Sequence, residues 1–303
     1  MRPTAMKYFK QWFQFLSAFF AVLSQRGKEV FTKIMKQLNI ITDGKETMKN
    51  SSQGLYGNQL VFEAQNYLHE MRFPIGNYGP EHNGVDGIFG ETTKACLQTF
   101  QMLTQTEPIL NQVNASILLQ LEQAVTAKAT IRSLAINAYQ KGVQPSISLE
   151  STSAEFVNAL YYYAIVDEVN SKVPAAVTVA QSILETSYGK FIPSDLNTKL
   201  SSYNLFGIKG NGPAGSVICW TREENPKTKI WEPVQARFRA YHNFLESIRD
   251  HSKFFFDNIS RYGAAFQAKT AAGFAKAIAK AGYATDSKYA TKLISLMNYW
   301  GIT

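Results

Sequence analysis

Glu185 closes a strongly apolar helical stretch, residues 175–186 (AAVTVAQSILET), along which Val177, Ala180, Ile183 and Leu184 can face a core. A carboxylate at the C-terminal end of an apolar helix meets both desolvation and the negative pole of the helix dipole. Both favour its neutral form and raise its pKa. A carboxylic acid still protonated near neutral pH is what general acid catalysis requires. The same pattern also describes a solvated glutamate at a helix end, and periodicity alone does not choose between the two. Other chemistries find less support. His69, His82, His242 and His251 lack ligand spacing such as HExxH, so neither a metal nor another cofactor is expected. Cys96 and Cys219 stand 123 residues apart, too few and too distant to read as a disulfide framework or metal cluster. Both read as small buried hydrophobes in apolar-periodic surroundings.

The elements around Glu185 are mostly helical. Residues 154–170 form an apolar helix that stops near Val173-Pro174, and Ser187-Tyr188-Gly189-Lys190 closes the helix carrying Glu185. Residues 216–224 then alternate, a turn falls at Asn225-Pro226, and residues 230–240 return with Ile230, Val234, Ala236 and Phe238. That is a hairpin signature inside a helical domain. The helical pattern resumes from Tyr241 through Phe244, Ile248 and Phe255, and a last helix runs to Trp300.

Upstream, residues 58–71 place Leu60, Val61, Ala64, Tyr67, Leu68 and Met71 on one helical face. A Gly-, Pro- and Asn-rich loop leads to Val85-Asp86-Gly87-Ile88-Phe89-Gly90-Glu91-Thr92-Thr93 and a second amphipathic helix through Ala95, Leu97, Phe100 and Gln101. Asp86-Gly87 suits a turn, and Gly90 with Glu91 or Thr92 suits a helix start. Residues 124–152 begin helical and end in a turn at Gln144-Pro145-Ser146, as a helical linker would.

The chain has 303 residues, 45% of them apolar and 18% charged, which suits two folded domains. About +6 of the +8 net charge falls in residues 1–50, and the rest is close to neutral. A nucleic-acid partner is therefore not expected, because the basic charge does not lie on a folded domain. Within this leader Trp12 to Leu23 is an apolar stretch of twelve residues behind Arg2, Lys7 and Lys10. It is short of the roughly 20 residues that span a bilayer. It reads as a secretory signal, as an amphipathic helix whose residues 1–35 meet an anionic membrane surface, or as a helix packed on the rest of the protein. Residues 41–56 read as a linker.

Two family resemblances organise these observations. Gln65, Asp86, Gly87, Phe89, Gly90, Thr93, Phe100 and Gln101 follow the order found in the peptidoglycan-binding domain of many cell-wall hydrolases, across about 65 residues. The second half is similar to glycoside hydrolase family 73, the N-acetylglucosaminidases that include autolysins and flagellar peptidoglycan hydrolases. Five motifs carry that likeness: AQSILETSYG at 180–189, NLFGIKG at 204–210, TREE at 221–224, FRAY at 238–241 and GYATD at 282–286.

These resemblances imply a mainly α fold. A lysozyme-like α domain with a small β-hairpin lobe (153–303) would follow a small three-helix peptidoglycan-binding domain (57–123) and a helical linker (124–152). They imply Glu185 as the catalytic general acid and Glu223 at the family's second acidic position, with neighbouring Glu224 as its rival. Tyr283 corresponds to the active-site tyrosine, with packing as its other reading, and Asp286 is a candidate acid or a cap for the final helix. Trp220 and Trp231 on the hairpin could stack on sugar rings or simply pack, and Asn204 could bond an acetamido group. The implied activity is an endo-β-N-acetylglucosaminidase acting on peptidoglycan glycan strands, in a secreted or cell-envelope setting. A muramidase, a lytic transglycosylase or a non-catalytic wall-binding protein are the alternatives, and autolysin, phage lysin and secreted toxin are all settings it fits.

Overall fold

The computed structural model of the chain describes residues 53–106, 112–148, 150–224, 228 and 230–302, with the side chains of residues 53–58, 223, 224 and 231 outside that description. The expectations for residues 1–50 and for the turn at 225–226 lie outside the described residues.

Several helix starts coincide with side chains that satisfy the free N–H groups of a first turn. Asn114 opens α3 by accepting from Ile117 N. Thr130 and Ser133 form a reciprocal box at α4, and Thr152 with Glu155 does the same at α5. Asn243 opens α7 and Thr270 opens α9. The helices are α1 Gln53–Glu70, α2 Glu91–Thr104, α3 Ala115–Thr126, α4 Ile131–Gln140, α5 Ser153–Ser171 and α6 Ala175–Thr186. Strands β1 Ser216–Glu224 and β2 Trp231–Arg239 follow. Then come α7 Phe244–Asp257, the short α8 Ile259–Tyr262, a 3₁₀ turn Gly263–Gln267, α9 Ala271–Lys280 and α10 Tyr289–Trp300.

Helix α5 is apolar on every side, with Phe156, Val157, Leu160, Tyr162 and Ile165 all buried, so it must be surrounded. It packs against α2, α4, α6 and α7 and so joins the first helices to the last. One continuous core runs from Val61 on α1 to Ile302 after α10. Helix α4 belongs to that core through Ile131, Ala135 and Ala138. Backbone bonds tie the halves as well: Ile131 N donates to Met71 O, and Gly76 N donates to Trp300 O.

The Asp86-Gly87 turn is built around buried Gln65. Its Oε1 accepts from Asp86 N and Gly87 N, and its Nε2 donates to Asp86 Oδ1, Thr93 Oγ1 and Ile88 O. Gly87 has φ of +75°, where a side chain would be strained.

The expected hairpin is present as an antiparallel pair, with Val217 opposite Phe238, Cys219 opposite Ala236 and Glu223 opposite Glu232. Val217, Phe238 and Ala240 form a small separate core on one face. Cys96 is fully buried, but Cys219 is only half-buried, because a two-stranded lobe is too thin to enclose it.

Candidate active site

Glu185 is the penultimate residue of α6. The helix is stopped by three successive residues of positive φ: Ser187 (49°), Tyr188 (62°) and Gly189 (79°). Gly189 is required there, since a Cβ would lie 2.7 Å from the Phe156 ring. Thr186 fixes the reversal by donating to Ser182 O and accepting from Gly189 N. Glu185 is thereby left open to solvent at the end of a helix that is otherwise mostly buried. Desolvation nonetheless raises its carboxyl above the ordinary range. The two facts agree where a carboxylate sits in a concave surface, reached by water from one side and surrounded by protein on the others.

The loop after α6 approaches this carboxyl through Gly207, where a Cβ would stand 3.8 Å from Glu185 Oε2. Asn204 shapes that loop. It is fully buried, its Nδ2 donates to Ile208 O and Arg239 O, and its Oδ1 accepts from Phe206 N and Ile208 N. Its polar atoms are therefore engaged by backbone, and no part of the side chain faces outward. Arg239, at the end of β2, donates through Nη1 to both carboxylate oxygens of Asp250 on α7, and Tyr241 donates to the same carboxylate. Burial, then the bond to Asp250, raises the Tyr241 phenol.

Tyr283 is half-buried, in a stack of rings. Phe255 lies 5.5 Å away on one side and Tyr289 5.6 Å away on the other, both nearly parallel to it. Burial pushes its phenol up, with smaller contributions from Tyr289 and Glu185. Glu185 and Tyr283 are thus brought within electrostatic reach of each other.

Other candidates stand elsewhere. Trp220 is 59% exposed on β1. In the hairpin register position 223 pairs with 232 and position 224 with 231. Asp286 lies ahead of α10, where it accepts from Lys288 N and pairs with Lys292, and these bonds lower its carboxyl. Among the described residues no group of His, Cys, Asp and Glu could hold a metal ion, and no helix is long and apolar enough to cross a membrane.

Two residues near Glu185 were not singled out by sequence. Gln181 lies one helical turn before it, a spacing visible in the sequence. Tyr289 donates nothing to local pattern, yet its hydroxyl accepts from Gln181 Nε2 at 2.8 Å.

The comparisons with known proteins fall on this half of the chain. Residues 162–301 match the glucosaminidase family, described as mannosyl-glycoprotein endo-beta-N-acetylglucosaminidase. Among curated relatives, the peptidoglycan hydrolase FlgJ of Escherichia coli (strain K12) is 37% identical over 153 residues, covering 50% of this chain and 47% of that protein. The exo-glucosaminidase LytG of Bacillus subtilis (strain 168) is 33% identical over 152 residues, covering 48% of this chain and 51% of that protein. The chain thus spans about half the length of the curated relatives it matches. Among solved structures, the glycoside hydrolase domain of Salmonella typhimurium FlgJ is 34% identical, with 48% of this chain and 87% of that chain covered and a TM-score of 0.41. The matched span includes Glu185, Gly207, the hairpin and Tyr283.

Proposed function

We propose that the glucosaminidase domain hydrolyses the β-1,4 bond after N-acetylglucosamine in peptidoglycan, with Glu185 as general acid. The observation that carries this reading is the accessible, desolvated Glu185 carboxyl beside Gly207, inside the span that matches the family. A carboxyl held in its protonated form delivers a proton to the leaving glycosidic oxygen as the bond breaks. Relatives named as peptidoglycan hydrolases support the wall glycan as substrate.

Glycoside hydrolysis ordinarily uses a second carboxylate, and Glu223 fills that role in this reading, with Glu224 its rival. A gap of about 5 Å between the two acids suits a covalent intermediate, and about 6.5–9.5 Å leaves room for an attacking water. Trp220 and Trp231 on the hairpin are the candidates to stack on sugar rings. Tyr283 positions substrate or water beside the acid, and Asn204 acts by shaping the loop under it. The lysozyme-like architecture, with residues 57–123 as the wall-binding module, residues 1–35 as a membrane-surface segment and the cell envelope as the place of action, completes the proposal.

The test is mass spectrometry of reduced muropeptides after digestion of purified peptidoglycan by the full chain, beside Glu185→Gln. Reduced N-acetylglucosamine ends from the wild type alone support the proposal. Reduced N-acetylmuramic acid ends indicate a muramidase, and anhydro ends a lytic transglycosylase. Silence from the wild type indicates a wall-binding protein. The relative named an exo-glucosaminidase favours a second reading, in which cuts proceed from strand ends. Release of single sugars rather than mixed oligomers marks that case.

A further inference from the structure

Gln181 lies between the acid and two tyrosines. It is 1% exposed, on the same face of α6 as Glu185 and one turn before it. Its Nε2 donates to the Tyr289 hydroxyl at 2.8 Å, while its Oε1 has no hydrogen-bond partner among the described residues. A buried amide oxygen without a partner is costly, so a side chain with this geometry persists where it has a task or a ligand to meet. Tyr289 is itself buried, and its ring stacks on Tyr283 at 5.6 Å and 22°. The next ring in the stack, Phe255, comes from α7, so Tyr283 is clamped between two buried rings from different helices. Among the described residues the Tyr283 hydroxyl has no hydrogen-bond partner that would hold it otherwise, apart from the nearby Gln181 amide, which acts on its phenol.

We infer that Gln181 and Tyr289 are a positioning pair: the amide of Gln181 locks the Tyr289 ring, and that ring sets where Tyr283 stands relative to Glu185. The inference rests on the reading of Glu185 as general acid. Neither residue of the pair touches substrate in this account. They act through Tyr283, so their removal changes the step in which the bond breaks and leaves binding intact. Since they form one unit, the loss of either releases the same ring. The effects of the two substitutions therefore do not multiply.

The experiment compares Tyr289→Phe, Gln181→Met, the double variant and Glu185→Gln in the full chain, using a soluble peptidoglycan glycan fragment and measuring kcat, KM and thermal midpoint. Tyr289→Phe keeps the stacked ring and removes only the hydroxyl, so it separates positioning from packing. The expected result is about a tenfold fall in kcat for each single variant, with KM within twofold of wild type. The double variant should fall no further than the singles. Falls that multiply in the double variant, or a rise in KM at unchanged kcat, overturn the pair. Wild-type turnover by Tyr289→Phe beside an inert Glu185→Gln overturns the pair alone. An active Glu185→Gln overturns the reading of the acid and the pair with it.

Discussion

Gly207 lies directly against Glu185. A Cβ at position 207 would stand 3.8 Å from the Glu185 Oε2, and the backbone there has φ of +59°. The contact distance is an ordinary van der Waals one, so a methyl group would fit beside the carboxyl without collision. With Glu185 as the proposed general acid, it would narrow the space beside the carboxyl that a sugar oxygen must enter. The left-handed backbone adds a separate penalty for any residue with a side chain.

Gly207→Ala should therefore lower both stability and turnover, by separable routes. The backbone penalty is about 1–2 kcal/mol, read as a lower urea midpoint at unchanged slope. Turnover should fall by at least about tenfold beyond any loss of folded protein, since small misplacements at a reacting centre are costly. A variant that loses stability but keeps its kcat would show that the approach to Glu185 comes from another side.

Glu185→Gln should abolish hydrolysis and raise the thermal midpoint. Loss of a general acid lowers rate by about 100-fold or more. The stability effect follows from the raised carboxyl. The fold favours the protonated form, so above the ordinary value of 4.5 the ionised side chain opposes folding, and that opposition fades as pH falls below it. Glutamine is neutral throughout. The rise should be present at pH 7, small because the group is solvent-accessible, and absent near pH 4 (about the ordinary value). Thermal melts of both proteins at the two pH values check the sign.

The residues whose roles depend on local pattern were legible from the sequence, and those whose roles depend on distant partners were not. Alternation over residues 216–224 and 230–240 with an intervening Asn-Pro pointed to the hairpin that the structure contains. The apolar run ending at Glu185 pointed to α6 and its boundary. Tyr289 carries no local signal, because Gln181, its partner, is 108 residues away. Asn204 sits in a motif, but its type alone does not tell a ligand-binding amide from one engaged by four backbone groups. The contact between the first helices and the last was hidden for the same reason: Tyr78 and Tyr299 meet across 221 residues of chain.

His251 should make the fold sensitive to mild acid. The imidazole is 1% exposed, stacked on Phe206 at 3.9 Å, and neither ring nitrogen has a hydrogen-bond partner among the described residues. Burial lowers it from 6.5 to about 3. The folded state therefore binds fewer protons than the unfolded chain between these values. Stability is full above pH 6.5 and is lost as pH falls toward 3. Wild type should lose about 1 kcal/mol more than His251→Phe between roughly pH 7.5 and 5.5, measured by urea unfolding. Equal losses in the two proteins would assign the acid sensitivity to carboxylates instead.

Asp250 should couple the hairpin to the helical body. Its carboxylate receives Arg239 Nη1 on both oxygens, at 2.9 and 2.7 Å, and Tyr241 Oη at 2.7 Å. Arg239 in turn offers its carbonyl to Asn204, which shapes the loop bearing Gly207. Asp250→Asn replaces one acceptor with a donor facing a guanidinium, so about 1–2 kcal/mol of stability should be lost, the pair being partly exposed. Turnover should fall as well, because the loop beneath Glu185 loses its anchor. Asp250→Leu with Arg239→Met removes both charges together and should recover part of the stability, as unpaired charge is the larger cost. It should not recover kcat, since the hairpin is then held by packing without a fixed register against α7. Urea midpoints beside turnover numbers for the three proteins separate the two effects, and a double variant that regains full kcat would show that the ion pair has no part in placing the loop.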